Sequence, residues 1–322
     1  MSRRKPLFAL IAVVVVLVLL ELGAMPLAPP IHRSSPQDDT MQGSALLGWE
    51  PVPGQRRMFG SPEETTINDL GTRNPQPHPK APGSLRLMSL GDSTVFGVLV
   101  GDEQVFSAVA ARNLERELGR SVDAYNGGVP GYSSEQASRL FRHRLYDQGA
   151  DVLLICTIWS DSQLGPPDAV VFPERAAALR VVLQRSALFR LLDTIAHGGE
   201  AAQVVEWRLG GDEPIMNRVP LSAYEDNLHG LAGAAEDAGA RPVFVVLPSD
   251  RDLDGRDLEK PRPAYRDTMR AVAADLGATL VDTPPHFAGL PPSTMLDDVH
   301  PSAAGHRLIG ELIAEALADE LR

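Results

Sequence analysis

The stretch LRLMSLGDSTVFG, residues 85–97, decides the fold of this chain. Its apolar run ends abruptly at Gly91-Asp92-Ser93, and helix-like spacing follows. A short apolar run that turns sharply into a helix is typical of a buried strand that leads into a crossover helix. Gly, Asp and Ser are also ordinary turn and helix-cap residues, so this tripeptide alone does not distinguish a turn from a reactive site.

The alternation of strand and helix continues along the rest of the chain. Further strands are predicted at residues 121–126, 151–158, 241–248 and 278–283, and helices at 103–118, 134–148, 173–196, 222–238, 263–276 and 302–321. This alternation predicts the α/β class, a flavodoxin-like three-layer α/β/α sandwich with a five-stranded parallel sheet. Ligands of such sheets bind beyond the carboxyl ends of the strands, so the residues after each strand are the candidates for function.

The N-terminus carries the clearest topological signal. Basic residues lie within residues 1–6, and an uncharged apolar run follows. At about 1.5 Å per residue, residues 7–25 can span a bilayer core of about 30 Å. The basic flank predicts a cytoplasmic tail and an exported remainder, so we expect an uncleaved signal anchor in the cell membrane. A cleaved signal peptide is the alternative.

The composition excludes several classes of protein. The formal net charge of -12 argues against broad nucleic-acid binding. The single cysteine, Cys156, allows no intrachain disulfide and no Cys/His metal cluster. No G-x-G-x-x-G or G-K-[ST] motif follows a strand, so neither a cofactor nor a metal is expected. The acidic run DRDLDG, residues 250–255, opens like a calcium loop, but Pro261 stands where that loop needs a Glu.

The chain is expected to divide into four parts. A basic tail (residues 1–6) and the anchor (7–25) precede a Pro/Gly/Ser-rich tether at residues 26–83. The α/β domain covers residues 84–322 and contains a helical insertion at about residues 167–219.

Three kinds of residue are predicted to converge on one edge of the sheet. Ser93 follows the first strand, NGGVPG (126–131) follows the second, and Asp297-x-x-His300 follows the fifth. A serine hydroxyl needs an adjacent base to become a nucleophile, and the imidazole of that base needs a partner that orients it. Backbone N–H groups of a glycine turn can stabilise an oxyanion. The pattern indicates acyl transfer, with Asp298 as an alternative orienting residue.

The order of these motifs resembles the SGNH (GDSL-type) hydrolase family. The resemblance rests on GDSTVFG, NGGVPG, Ser160-Asp161 after the central strand, and DDVHPSAAGHRLIGELIAEAL at the end of the chain. The lead-in TTINDLGTRNP (65–75) also resembles membrane-anchored bacterial members. The resemblance implies that Ser93 is the nucleophile, His300 the base and Asp297 its orienting residue.

The same resemblance implies an oxyanion hole and one departure from the family pattern. The N–H groups of Ser93 and Gly128 would form two arms of the hole. Ser160 stands where the family usually places an Asn that supplies the third donor. A shorter, freely rotating hydroxyl predicts a slower enzyme or a donor from elsewhere, such as Ser162 or the indole of Trp159.

The expected function is therefore that of a membrane-tethered serine hydrolase with its catalytic domain on the extracytoplasmic side. It would cleave O-acyl esters, acetyl esters included, of envelope glycans or lipids through an acyl-serine intermediate. Two alternatives stay open at this point. One is an O-acyltransferase acting on an envelope polysaccharide, and the other is a catalytically weak binding or assembly factor.

Overall fold

The computed structural model describes residues 4–29, 40–56, 64–73, 76–165, 174–196 and 216–322. The α-helices are α1 (Arg4–Ala24), α2 (Ser93–Phe96), α3 (Phe106–Leu118), α4 (Ser134–Leu140), α5 (Glu174–Leu183), α6 (Ala187–Ala196), α7 (Leu221–Asp237), α8 (Arg262–Leu276) and α9 (Ala303–Ala318). The strands are β1 (Met41–Ser44), β2 (Gly48–Pro51), β3 (Leu85–Gly91), β4 (Val122–Gly128), β5 (Val152–Ile155), β6 (Leu164–Gly165), β7 (Met216–Asn217), β8 (Arg241–Val246) and β9 (Thr279–Asp282). The chain forms two compact units, residues 1–49 with 170–208, and residues 50–169 with 209–322.

The smaller unit is built on α1, whose apolar side chains are exposed from Phe8 to Leu20. The carboxylate of Glu21 accepts hydrogen bonds from the Ser186 hydroxyl and from the N–H groups of Ala187 and Leu188, and so caps the start of α6. In the described part of the chain, no helix combines the length and apolar character that crossing a membrane requires. The predicted span at residues 7–25 therefore gains no support from the fold.

The larger unit contains the predicted sheet. Its five strands pair in the order β4-β3-β5-β8-β9, and every pair is parallel. In chain order this is the 2-1-3-4-5 arrangement of flavodoxin-like sheets, whose switch point lies between the first and third strands. Every residue of β3 is buried, as a strand in the interior of a covered sheet requires. The predicted five-stranded parallel α/β fold is confirmed.

The helices pack on the sheet in pairs. Helix α3 packs against α9, and α7 packs against α8 and α4. The contact between α3 and α9 is close because Gly310 has no side chain, and a Cβ there would lie 2.6 Å from Cβ of Val109. These contacts bury the apolar faces that the sequence pattern predicts for the helices.

Two predicted elements are shorter in the structure. The third strand was expected to reach residue 158, but β5 ends at Ile155 because the chain then turns away from the sheet to bring Ser160 to Asp92. The helix predicted at residues 134–148 ends as α4 at Leu140 and continues as a wider π-helical turn, Phe141–Leu145. Hydrophobic periodicity does not distinguish a π-helical turn from a regular α-helix.

The predicted tether also differs from the structure. Residues 64–73 lie in the larger unit, although a tether was expected at 26–83. The backbone of Arg73 exchanges two hydrogen bonds with Asn126, at 2.8 and 3.2 Å, and the Arg73 side chain is fully buried. This stretch is therefore an integral part of the larger unit, which begins well before residue 84. Residues 30–39, 57–63 and 74–75 of the predicted tether, and residues 167–173 and 197–215 of the predicted insertion at 167–219, lie outside the described residues.

Candidate active site

The turn after β3 places Ser93 at the first position of the four-residue helix α2. Gly91 has to be glycine, because a Cβ there would lie 2.3 Å from the Val95 side chain. The Asp92 carboxylate caps the helix by accepting the N–H of Thr94 at 3.0 Å. The N–H of Ser93 has no acceptor among the described residues. The turn chemistry that the sequence suggested therefore leaves a serine with a free N–H at the edge of the sheet.

Ser93, His300 and Asp297 form one unbroken hydrogen-bonded chain. Nε2 of His300 lies 2.8 Å from Oγ of Ser93, and Nδ1 lies 2.7 Å from Oδ2 of Asp297. An ionised carboxylate only accepts hydrogen bonds, so Nδ1 carries the proton and Nε2 accepts from the serine hydroxyl. This is the tautomer that a histidine needs to act as a base toward serine.

The loop that carries the histidine is fastened to the nucleophile helix. The N–H of Leu296 donates to the carbonyl of His300 at 2.7 Å, and the Thr94 hydroxyl donates to the carbonyl of Val299 at 3.1 Å. Partial burial opposes the charged form of Asp297, but hydrogen bonds from the Val299 N–H and from His300 hold the pKa of this carboxyl below its ordinary value. Asp297 therefore stays ionised while it orients the imidazole.

Asp298 does not take the orienting position. Its carboxylate pairs with the guanidinium of Arg262 at 3.3 Å, and its carbonyl accepts the N–H of Asp250 at 3.0 Å. The choice between the two adjacent aspartates, which the sequence left open, is therefore made in favour of Asp297.

Gly128 differs from the prediction, since its N–H does not point to a vacant oxyanion position. This N–H donates to Oδ1 of Asn126 at 2.9 Å. A Cβ on Gly128 would lie 2.3 Å from the backbone nitrogen of Phe96, so the glycine serves the close approach of β4 and α2. The implied role of Gly128 in the oxyanion hole is therefore corrected.

The N–H of a second glycine in the same motif, Gly131, has no acceptor among the residues that the structure describes. The N–H of Tyr132 donates to the carbonyl of Val129 at 3.0 Å, which closes a turn with Pro130 and Gly131 at its centre. Gly131 has φ +80, the conformation that the third position of a type II turn requires. The N–H of Val129 donates to the carbonyl of Gly91 at 3.1 Å and ties the turn to the end of β3. Sequence reasoning missed Gly131, although Pro-Gly is a strong turn signal.

Ser160 is bound to the nucleophile turn. Its N–H donates to Oδ2 of Asp92 at 3.0 Å. Burial raises the pKa of Asp92, although the hydrogen bonds from Ser160 and Thr94 act in the opposite direction. The backbone of Ser160 therefore helps to hold the turn that carries Ser93.

The two substitutes suggested by the sequence differ in whether their donor is already used. The hydroxyl of Ser162 donates to the carbonyl of Trp159 at 3.0 Å. The indole ring of Trp159 lies against Arg262 and Arg266, at 5.4 and 5.2 Å, and its Nε1 is buried with no acceptor among the described residues. The neighbouring Asp161 braces the loop, because it accepts the N–H and the hydroxyl of Ser134.

Two other sequence features lie outside the triad. His306 is buried in α9, where its Nδ1 accepts the N–H of Phe106 at 3.3 Å, and burial lowers its pKa to about 3. It is therefore a neutral packing residue. In the acidic loop at residues 250–255, Asp252 pairs with Arg266 at 2.7 Å and Asp254 pairs with Arg256 at 2.7 Å. Arginine side chains therefore neutralise these carboxylates.

Fold and site together define the class of protein. An open parallel sheet that carries a Ser-His-Asp chain at its carboxyl edge has the parts that acyl transfer to and from a serine requires. Residues 89–308 match the model of the GDSL-like lipase/acylhydrolase family, and the chain belongs to this family. It is a carboxylic ester hydrolase. No curated protein sequence matches the chain.

Solved structures with a similar fold are distant in sequence. LAE5, an α/β hydrolase enzyme from the metagenome of Lake Arreo, Spain, is 16% identical with a TM-score of 0.50, over 74% of this chain and 96% of that chain. The lipase/acylhydrolase from Enterococcus faecalis is 16% identical with a TM-score of 0.49, over 74% and 97%. The acetylxylan esterase Axe2 from Geobacillus stearothermophilus is 16% identical with a TM-score of 0.47, over 74% and 94%. At this level of identity, the similarity to LAE5 concerns the fold alone.

Proposed function

We propose that the protein hydrolyses O-acyl esters with Ser93 as nucleophile, His300 as general base and acid, and Asp297 as the residue that orients His300. The observation that carries this proposal is the pair of contacts on His300, 2.8 Å from Nε2 to Ser93 and 2.7 Å from Nδ1 to Asp297. A serine within hydrogen-bond distance of a base that a third group orients is the signature of nucleophilic catalysis.

The reaction proceeds through two acyl transfers. Oγ of Ser93 attacks the ester carbonyl carbon while Nε2 of His300 takes the hydroxyl proton. The tetrahedral intermediate expels the alcohol, which receives this proton from His300, and an acyl-serine ester remains. Water then gives a proton to His300 and attacks the acyl carbon, and the released serine oxygen takes the proton back.

The oxyanion is stabilised by the N–H groups of Ser93 and Gly131. Both N–H groups lack an acceptor among the described residues, and the Gly131 turn is bound to Gly91 at the end of β3. The Ser160 hydroxyl is shorter than the Asn side chain of the family pattern and rotates freely, so the third donor is weakened here. One such donor is worth about 3 kcal/mol, or about 10²-fold in rate, so we expect a slow esterase.

The proposed location is the cell membrane, with the catalytic unit on the extracytoplasmic side. The support is the basic flank before residue 7, the uncharged run that follows, and the exposed apolar side chains along α1. A tethered enzyme acts on nearby esters, so we propose acyl groups on envelope glycans or lipids as substrates.

Cell fractionation tests the location. Release of the full chain by alkaline carbonate without detergent would contradict an integral anchor.

The decisive experiment for the activity is labelling of the purified full chain with a fluorophosphonate probe. Labelling of the wild type that disappears in Ser93→Ala and His300→Ala supports an activated serine, whereas an unlabelled wild type contradicts the enzymatic reading and favours a binding factor. Acetyl release from a model ester, measured with and without a sugar acceptor, then separates hydrolysis from transfer. An acyltransferase would show acylated sugar in place of free acetate.

A further inference from the structure

A buried guanidinium lies directly behind the nucleophile helix. Arg73 is fully buried and belongs to the stretch that precedes the family match at residues 89–308. Its Nη1 donates to the carbonyls of Phe96 and Gly97 at 2.6 and 2.7 Å, and its Nη2 donates to the carbonyl of Val100. Its Nε donates to Asp102 at 2.7 Å. Nearly all of the donor capacity of Arg73 is thus used on the end of α2 and the loop that follows.

One peptide group connects Arg73 with the nucleophile. The carbonyl of Phe96 and the N–H of Gly97 belong to the same peptide plane. The guanidinium of Arg73 donates to the Phe96 carbonyl of this plane. The Gly97 N–H of the same plane donates to the carbonyl of Ser93 at 3.0 Å. Hydrogen bonds in such a chain polarise and strengthen one another. A displacement of the guanidinium is therefore transmitted through a rigid peptide to Ser93.

Asn126 in β4 holds the neighbouring peptide, between Val95 and Phe96, in the same manner. Nδ2 of Asn126 donates to the carbonyl of Val95 at 2.7 Å, and the N–H of the same peptide donates to the carbonyl of Asp92 at 2.9 Å. The backbone of Arg73 pairs with Asn126, so both supports move together. A helix of four residues is not stable by itself, and its orientation depends on these external bonds.

We propose that Arg73 is a positioning residue for the nucleophile. It sets the direction of the Ser93 hydroxyl toward His300 and of the Ser93 N–H toward the oxyanion, through the Phe96–Gly97 peptide. The inference rests on the proposed function of Ser93. Small misplacements of a reacting group, on the order of 1 Å, cost about 10²-fold in rate. The positive charge also lies at the carbonyl end of α2, where the helix dipole favours a cation.

The geometry requires arginine at this position. Besides a longer contact of 3.5 Å to the Glu64 carbonyl, three carbonyls and one carboxylate lie within 2.7 Å of the guanidinium nitrogens and match its fork of N–H donors. A lysine retains the charge but offers three donors from a single nitrogen, so it cannot reach all four acceptors. Arg73→Lys should therefore restore only part of the function that Arg73→Met removes.

Arg86 supplies a matched control. It is also buried, its guanidinium lies 4.9 Å from the Tyr125 ring, and it donates to Asp123 at 3.1 Å and to the carbonyl of His78 at 2.9 Å. It lies at the start of β3, roughly 20 Å of strand away from the catalytic edge at about 3.3 Å per residue. Arg86→Met thus removes a comparable buried cation without touching α2.

The experiment compares the full-length wild type, Arg73→Met, Arg73→Lys and Arg86→Met in detergent. The fluorophosphonate labelling rate and kcat are measured per folded molecule, together with KM and Tm. Both methionine variants should lose stability. Only Arg73→Met should lose about tenfold or more in labelling rate and kcat, with KM nearly unchanged, and Arg73→Lys should lie between it and the wild type. Equal rates in Arg73→Met and Arg86→Met would overturn the proposal.

Two provisions keep the test decisive. If Arg73→Met does not fold, the test rests on Arg73→Lys. A labelling rate of Arg73→Lys equal to that of the wild type would then overturn the proposal. Failure of the proposed function is recognised separately, as a wild type that does not label. The ring nitrogen signals of His300 in NMR then report its contact with Ser93 directly. These signals should change in Arg73→Lys and not in Arg86→Met, and the opposite outcome contradicts the positioning role.

Discussion

The N–H of Gly128 donates to the side-chain oxygen of Asn126 at 2.9 Å, and this contact occupies the N–H that the sequence assigned to the oxyanion hole. The two glycines lie three residues apart in one motif, NGGVPG. Gly128 belongs to the packing of β4 against α2, whereas Gly131 lies in the turn beyond the strand. Their roles differ because only one of the two N–H groups is left without an acceptor by the fold.

Gly131→Ala is expected to lower kcat about 10- to 100-fold. A side chain at φ +80 strains the turn and shifts the N–H away from the oxyanion. Ester hydrolysis of the folded variant, with KM determined in parallel, measures the effect. Gly119→Ala is the control, because Gly119 has φ +66 at the end of α3 with open space around it. A similar loss of kcat in the control would show that strain alone is responsible.

Asp297→Asn is expected to lower kcat about 10³- to 10⁴-fold, while Asp298→Asn should stay close to the wild type. The amide favours the wrong imidazole tautomer, in which Nε2 carries the proton and cannot accept from Ser93. Fluorophosphonate labelling rates and kcat of both variants measure the difference. If Asp298→Asn were the more damaging change, the assignment of Asp297 as the orienting residue would be wrong.

Ser160→Ala is expected to change kcat by less than about fivefold. Loss of a working oxyanion donor costs about 10²-fold, but a serine hydroxyl is shorter than an Asn side chain and rotates freely, and the Ser160 N–H keeps its bond to Asp92 in the variant. Steady-state hydrolysis of an acetyl ester measures the change. A loss of 10²-fold would instead identify the hydroxyl as the third donor.

His306 should make the protein sensitive to acid. Its pKa is about 3 in the folded chain against 6.5 unperturbed, so the unfolded chain takes up a proton that the folded chain does not. The free energy of unfolding therefore falls as the pH drops below about 6.5, by about 2 to 3 kcal/mol at pH 4.5 from this group.

His306→Asn provides the comparison for this pH dependence. Its side-chain oxygen can still accept the N–H of Phe106, and it does not titrate. Urea unfolding at pH 7 and pH 4.5 should show a smaller loss of stability in the variant than in the wild type. Equal losses would mean that His306 is protonated in the folded protein or that other groups dominate.

Much of the fold and the triad could be predicted from local sequence. Apolar runs that alternate with helical stripes predict the parallel sheet, and this sheet places the ends of β3 and β9 at one edge. Local turn preferences are visible in two short motifs, Gly91-Asp92-Ser93 and Asp297-x-x-His300. Their residue types therefore indicated the site without knowledge of tertiary contacts. Element ends were less predictable, as β5 and α4 show, because tertiary contacts determine where a strand or helix stops.

The sequence by itself determined which residues could react, since a serine after a tight turn and a histidine beside an aspartate are properties of the chain. Only the tertiary structure decided which groups are left free to react. It bound Gly128 to Asn126, Asp298 to Arg262 and Ser160 to Asp92, and it buried Arg73 behind α2. The physical reason is that a hydrogen bond depends on distance and direction between segments that are remote in sequence, and local patterns contain neither.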